Sequence, residues 1–196
     1  MDLILIVGPQ AVGKMTVGLE LEKHIDAKLL YNHETIDLFA RFLNYTPETF
    51  RLSENTRHAL FEAFTANEET NATKGIIFTV VAGFDLENDW KIMASWVEKF
   101  IKANGRVYFI ELEADLDERL KRNIHENRLI AKPSKRDIDF SRQELLTSAS
   151  RHRLNSHAGE VKERLPSVKY LKINNTSVKA DEVAEQIFRF MQSTGY

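Results

Sequence analysis

Gly8-Pro-Gln-Ala-Val-Gly13-Lys14 places two glycines on either side of a short loop, with a lysine directly after the second. Residues of these types at this spacing suit an oligophosphate. Consecutive backbone N–H groups can curl around phosphate oxygens, and glycine permits the close approach. A helix beginning at the lysine adds positive potential, and the lysine ammonium reaches the outer phosphates. Gly8, Ala11, Val12, Gly13, Lys14, Met15 and Thr16 are therefore the expected nucleotide-holding residues. The position after the lysine usually carries a hydroxyl for magnesium, and here it is Met15. A thioether is soft and Mg²⁺ wants hard oxygen, so the next residue, Thr16, is the hydroxyl left to support a metal, mostly through water.

Such a loop works only where a strand delivers it and a helix follows. Apolar, β-branched runs at Leu3–Val7, Lys28–Tyr31, Ile76–Val81, Val107–Leu112 and Val168–Ile173 read as strands covered on both faces. Helical patterns fall between them: Lys14–Ile25, His33–Asn44, roughly Ser53–Asn71, Asn88–Ala103, Ser141–His157 and Asp181–Gln192. Gly105 reads as a C-cap. Asp115 with Glu118 reads as a capping box opening a helix towards Glu126. The alternation predicts an α/β fold, a parallel sheet with helices on both faces.

The 196 residues suit one domain, and 43% hydrophobic with 29% charged residues can build an ordinary core. A net charge of -2 argues against a nucleic-acid coat or a polybasic membrane binder. The absence of cysteine excludes disulfides, thiolate catalysis and cysteine-held zinc. The apolar start, Leu3–Val7, is too short for a secretory signal or a membrane span, so a cytoplasmic protein is expected.

From Arg119 to Arg142 eight basic residues (Arg119, Lys121, Arg122, Arg128, Lys132, Lys135, Arg136, Arg142) face three acids, a local +5 in a chain of negative total. Between the second and third strands, Arg41, Arg51, Arg57 and His58 suit an anionic small molecule. The aromatic residues among them (Phe39, Phe42, Tyr45, Phe50, Phe61 and Phe64) are spaced as core.

The loop with Gly13-Lys14-Met15-Thr16 resembles that of adenylate kinases, which reads G-K-G-T. Asn32-His33-Glu34 stands in register with the D-x-D ending the second strand of shikimate and gluconate kinases. The chain thus resembles the small P-loop kinases along nearly its whole length in element order. That resemblance implies a three-layer α/β/α fold with a five-stranded sheet of order 2-3-1-4-5, a substrate-binding insert at about 33–73 and a lid at about 122–142. It implies Glu34 as acceptor of the substrate hydroxyl's proton and Asn32 as a neutral replacement of the first aspartate, with His33 and Asp37 nearby at the substrate. It also implies Arg122 and Arg128 as a lid pair, two residues wider than the shikimate kinase R-x-x-x-R, covering the triphosphate together with Lys14. Arg151 and Arg153 could point back from the next helix. At the third strand's end Ala82 takes the place of an aspartate in the adenylate kinase D-G-F-P, leaving Asp85 as a metal contact. Asn175 and Thr176 are expected beside the adenine ring.

The expectation is an ATP- and Mg²⁺-dependent phosphotransferase that phosphorylates a small hydroxylated or anionic metabolite. It would act as monomer or homodimer, with no nucleic-acid or membrane partner. The alternatives are a nucleoside or nucleotide kinase, or a nucleotide-binding protein without transfer activity, which Met15 and Ala82 motivate.

Overall fold

The computed structural model describes residues 1–131 and 135–196, excluding the side chains of residues 127, 128 and 131. Five strands form one sheet in the order β2-β3-β1-β4-β5. They are β1 (Asp2–Val7), β2 (Ala27–Tyr31), β3 (Gly75–Val80), β4 (Arg106–Glu113) and β5 (Lys169–Asn174). Every neighbouring pair is parallel, with Val7 opposite both Val80 and Glu111 at the carboxyl ends. This is the expected order.

β1 is buried along its whole length because both of its faces are covered. Leu3, Leu5 and Val7 pack with one core and Ile4 and Ile6 with the other. Period-two alternation assigns successive residues to opposite faces. The first core is completed by α3 (Pro47–Ala66), α4 (Glu87–Lys102) and α8 (Glu160–Arg164), where Phe61, Trp96 and Phe100 pack edge-on. The second belongs to α1 (Lys14–Leu21) and α9 (Ala180–Ser193), through Val17, Leu21, Val183 and Ile187. Ala82 is buried in the first core.

Several helix ends differ from the sequence expectation. α4 ends in a Schellman arrangement: Asn104 takes the left-handed conformation (φ 58°), and the N–H groups of Asn104 and Gly105 donate to Ile101 and Phe100. Asn104, not Gly105, is therefore the left-handed residue. The capping box is not formed. Asp115 caps α5 (Leu116–Asn123) without a side-chain bond, and Glu118 instead takes Arg122 Nε at 2.9 Å. The Asp115 N–H that a capping box would satisfy is taken by Thr176 Oγ1 at 3.0 Å, which leaves Glu118 to its i,i+4 partner. The chain then restarts as α6 (Glu126–Ala131). α7 (Ile138–Arg151) stops before the expected His157, because His152 and the Arg153 N–H are taken by Asp85. α2 (Asn32–Leu43) follows β2 without a connecting loop, and α3 starts at Pro47, where proline suits a first turn.

Candidate active site

β1 delivers the glycine loop to the carboxyl end of the sheet, between β3 on one side and β4 on the other, where strand order reverses. Two glycines make the turn possible. Gly8 has φ 151°, and a Cβ there would lie 2.3 Å from the Leu112 carbonyl oxygen. Gly13 caps α1 with φ 104°. Ala11 also takes a left-handed conformation, φ 59°, which a non-glycine residue adopts only under constraint.

The constraint is visible. Arg119 Nε donates to the Gln10 carbonyl at 2.9 Å, and Val12 O accepts from Arg122 Nη1 at 3.1 Å and Asn175 Nδ2 at 2.8 Å. Burial depresses the Arg119 pKa, the mark of a desolvated brace. The first helical bond of α1 runs from Val17 N to Gly13 O, so the N–H groups of Lys14, Met15 and Thr16 precede it. Lys14 Nζ is folded onto the loop, donating to Gly8 O at 2.6 Å and Pro9 O at 2.8 Å. Helix-end amides and a lysine on one turn can hold an anion.

A cavity of about 1000 Å³ opens over this turn. Ala11, Val12, Gly13, Lys14, Met15 and Thr16 line it, as do Asn32, His33, Arg122, Asn175 and Thr176. These expected site residues therefore share one space. Gly8 lies beneath the turn and shapes it.

Other expected residues lie elsewhere. Glu34 is exposed and does not line the cavity, because helical rotation at the start of α2 turns it away from Asn32, His33 and Ile36. Its carboxyl sits above the usual range through desolvation, opposed by the Tyr31 backbone hydrogen bond and aided by Glu22. Asp37 is also outside the lining. It lies 3.6 Å from His33 Nδ1 and accepts from the Tyr45 hydroxyl at 3.1 Å. Arg41 is exposed, its guanidinium over the Phe42 ring. Arg57 is buried, donating to Ser53 Oγ at 2.6 Å and Thr35 Oγ1 at 3.1 Å. It lines a separate recess of about 150 Å³ that shares Asn32, Val80 and Val81 with the large cavity. Burial lowers the Arg57 pKa, with Glu54 opposing, and its Nε has no partner among the described residues.

Asp85 is turned to the return of α7, accepting from Arg153 N at 3.0 Å and facing His152 Nδ1 at 3.2 Å. It does not line the cavity. Arg153 does not point back to the loop. It pairs with Glu160 at 2.6 Å and donates to Phe84 O at 2.8 Å. Arg122 is a clasp: besides Val12 it holds Asn175 O at 2.8 Å and Thr176 O at 3.1 Å, joining the glycine loop to the turn after β5. The Arg128 side chain and Lys132 lie outside the described residues.

Sequence reading missed two features. Arg119, counted only as part of a charge run, braces the loop. Its three-residue offset from Arg122 on one helix was the available signal. Tyr45 and Phe50, assigned to the core, line the cavity instead, joined by Phe140 from α7. Phe61 and Phe64 are core as expected.

No protein-family model and no curated protein sequence matches the chain. Solved structures do. A gluconokinase from Sinorhizobium meliloti 1021 matches with TM-score 0.58 at 11% identity over 98% of this chain and 93% of that one. Shikimate kinase from Acinetobacter baumannii, in complex with shikimate, matches with TM-score 0.54 at 16% identity over 99% and 94%. A sugar kinase from Janibacter sp. HTCC2649 gives TM-score 0.52 at 13% identity over 97% and 94%. The protein has the fold of the small P-loop kinases. Among the described residues, no helix is long and apolar enough to cross a membrane.

Proposed function

We propose that the protein is an ATP-dependent phosphotransferase acting on a small hydroxylated or anionic acceptor. The observation that carries this reading is the cavity itself. One end is a lysine-bearing glycine turn at a helix start, and the other opens between α2–α3 and α7 with room for a second molecule. Pockets of this size and placement are where small ligands bind in such sheets.

Lys14 and the loop amides would hold the β- and γ-phosphates, with Asn175 and Thr176 beside the base. Magnesium would come with the phosphates and lean on the Thr16 hydroxyl, since Met15 offers no hard oxygen. In the transfer, the acceptor oxygen bonds to the γ-phosphorus as the β–γ bridging bond breaks, and ADP leaves with the electron pair. The hydroxyl proton would pass to His33, which lines the cavity and is oriented by Asp37, in preference to the outward Glu34. Arg57 would attract an anionic substituent of the acceptor into its recess. The segment 122–142 would close over the bound pair as a lid and exclude water.

A second reading, nucleotide binding without transfer, is favoured by one observation: Ala82 is buried and Asp85 is turned away, so β3 supplies no carboxylate to a metal. Titration calorimetry with ATP across a magnesium series, beside a coupled ADP-release assay over an acceptor panel, separates the two. Lys14→Ala should weaken ATP binding at least tenfold, the scale of a lost charged hydrogen bond. Unchanged ATP affinity in that variant refutes both readings.

A further inference from the structure

The geometry points to an acceptor of a particular class: a hydroxyl carried on a flat, largely apolar ring, held between the α2–α3 turn and the start of α7. The inference rests on the phosphotransferase reading and names its second substrate. Tyr45 and Phe50 are 48% and 47% exposed and Phe140 is 62% exposed, yet all three line one cavity. None belongs to either core cluster or packs against one as a partly buried neighbour. A large ring left outside the core and turned into a concave site is a binding surface, because water beside it is released when a flat ligand covers it. Ile36, Val80 and Val81 extend the same apolar wall.

The polar groups fix the orientation. Tyr45 gives its hydroxyl to Asp37 at 3.1 Å, so its ring edge is anchored and the ring can serve as a platform. Asp37 also lies 3.6 Å from His33 Nδ1, and His33 itself lines the cavity beside the aromatic wall. A saturated polyol would cover the rings poorly and lose its own water, a cost these walls do not offset. A ring bearing one hydroxymethyl or sugar hydroxyl meets both demands: the ring against the aromatic walls, the hydroxyl at His33, and the phosphates at Lys14.

The test is titration calorimetry on the full chain, with and without a non-hydrolysable ATP analogue. Uridine, adenosine and 4-nitrobenzyl alcohol serve as ring probes, and gluconate, shikimate and glycerol as polyol probes. The expected result is saturable binding of at least one ring alcohol in the presence of the analogue. Phe50→Ala and Phe140→Ala should each weaken it about tenfold, and Phe50→Tyr should restore it. Both residues are exposed, so folding is not at stake. Silence from every ring alcohol at millimolar concentration overturns the inference, as does equal binding to Phe50→Ala. Loss of the analogue's affinity in place of the ring alcohol's would put the nucleobase on this wall and also overturn it. The analogue's own titration against the unaltered chain reports separately on the phosphotransferase reading.

Discussion

Replacing Arg122 with alanine separates two roles for the same residue. As a lid arginine it would stabilise charge in the transition state and contribute little to the resting fold. The structure shows a guanidinium fixed between two walls, donating to Val12 O at 3.1 Å, Asn175 O at 2.8 Å and Thr176 O at 3.1 Å. Its side chain is 25% exposed, so these bonds are mostly shielded from water. A net hydrogen bond contributes about 0.5–1.5 kcal/mol, and partial access for water reduces the total, which gives a loss of about 2–3 kcal/mol. For a chain of this size that lowers the melting temperature by about 4–12 °C. Arg122→Lys should lose nearly as much, because an ammonium cannot span three carbonyls as the fork does. ATP affinity should fall in parallel, since Val12 and the turn after β5 are no longer joined. The assay is differential scanning fluorimetry with and without ATP. A variant that melts like the parent but turns over no substrate would refute the clasp and restore the lid role.

Gly8→Ala should destabilise far more than an ordinary surface change, because the new Cβ meets the Leu112 carbonyl at 2.3 Å and φ is 151°. Urea unfolding and soluble yield check it. Asp85→Ala should lower the melting temperature by freeing His152 and Arg153 N, while leaving the magnesium dependence of ATP binding unchanged. A shifted magnesium curve would return Asp85 to the metal. The Arg153 guanidinium, against partial desolvation, holds the Glu160 carboxyl below its ordinary pKa. The folded state thus binds that proton less readily than the unfolded chain. The stabilisation is fully present above the unfolded carboxylate value and fades as pH falls through the depressed one. Glu160→Gln should flatten this part of the stability profile, measured as a melting-temperature series from neutral pH down through the ordinary carboxylate range.

The central strands β1, β3 and β4 were legible because each is a short apolar run buried on both faces, whereas the edge strands β2 and β5 are only partly covered. Gly8 and Gly13 could be read as a turn from spacing alone, since only backbone conformation was at issue. Side-chain destinations were not legible in the same way. Arg122 in the basic stretch and Arg153 beyond it were both expected near the loop, but each is held by a carbonyl from a distant segment: Val12 and Asn175 for the first, Phe84 for the second, which also pairs with nearby Glu160. Glu34 and His33 are adjacent in sequence and separate in space, because a helix starting at Asn32 rotates one towards the cavity and the other away. Tyr45 and Phe50 have the composition of core but line the cavity, outside both core clusters. Local pattern decided the elements and the glycine turn. Packing between elements far apart in the chain decided which charges brace the fold and which face the cavity, since those choices depend on distances that spacing along the chain does not encode.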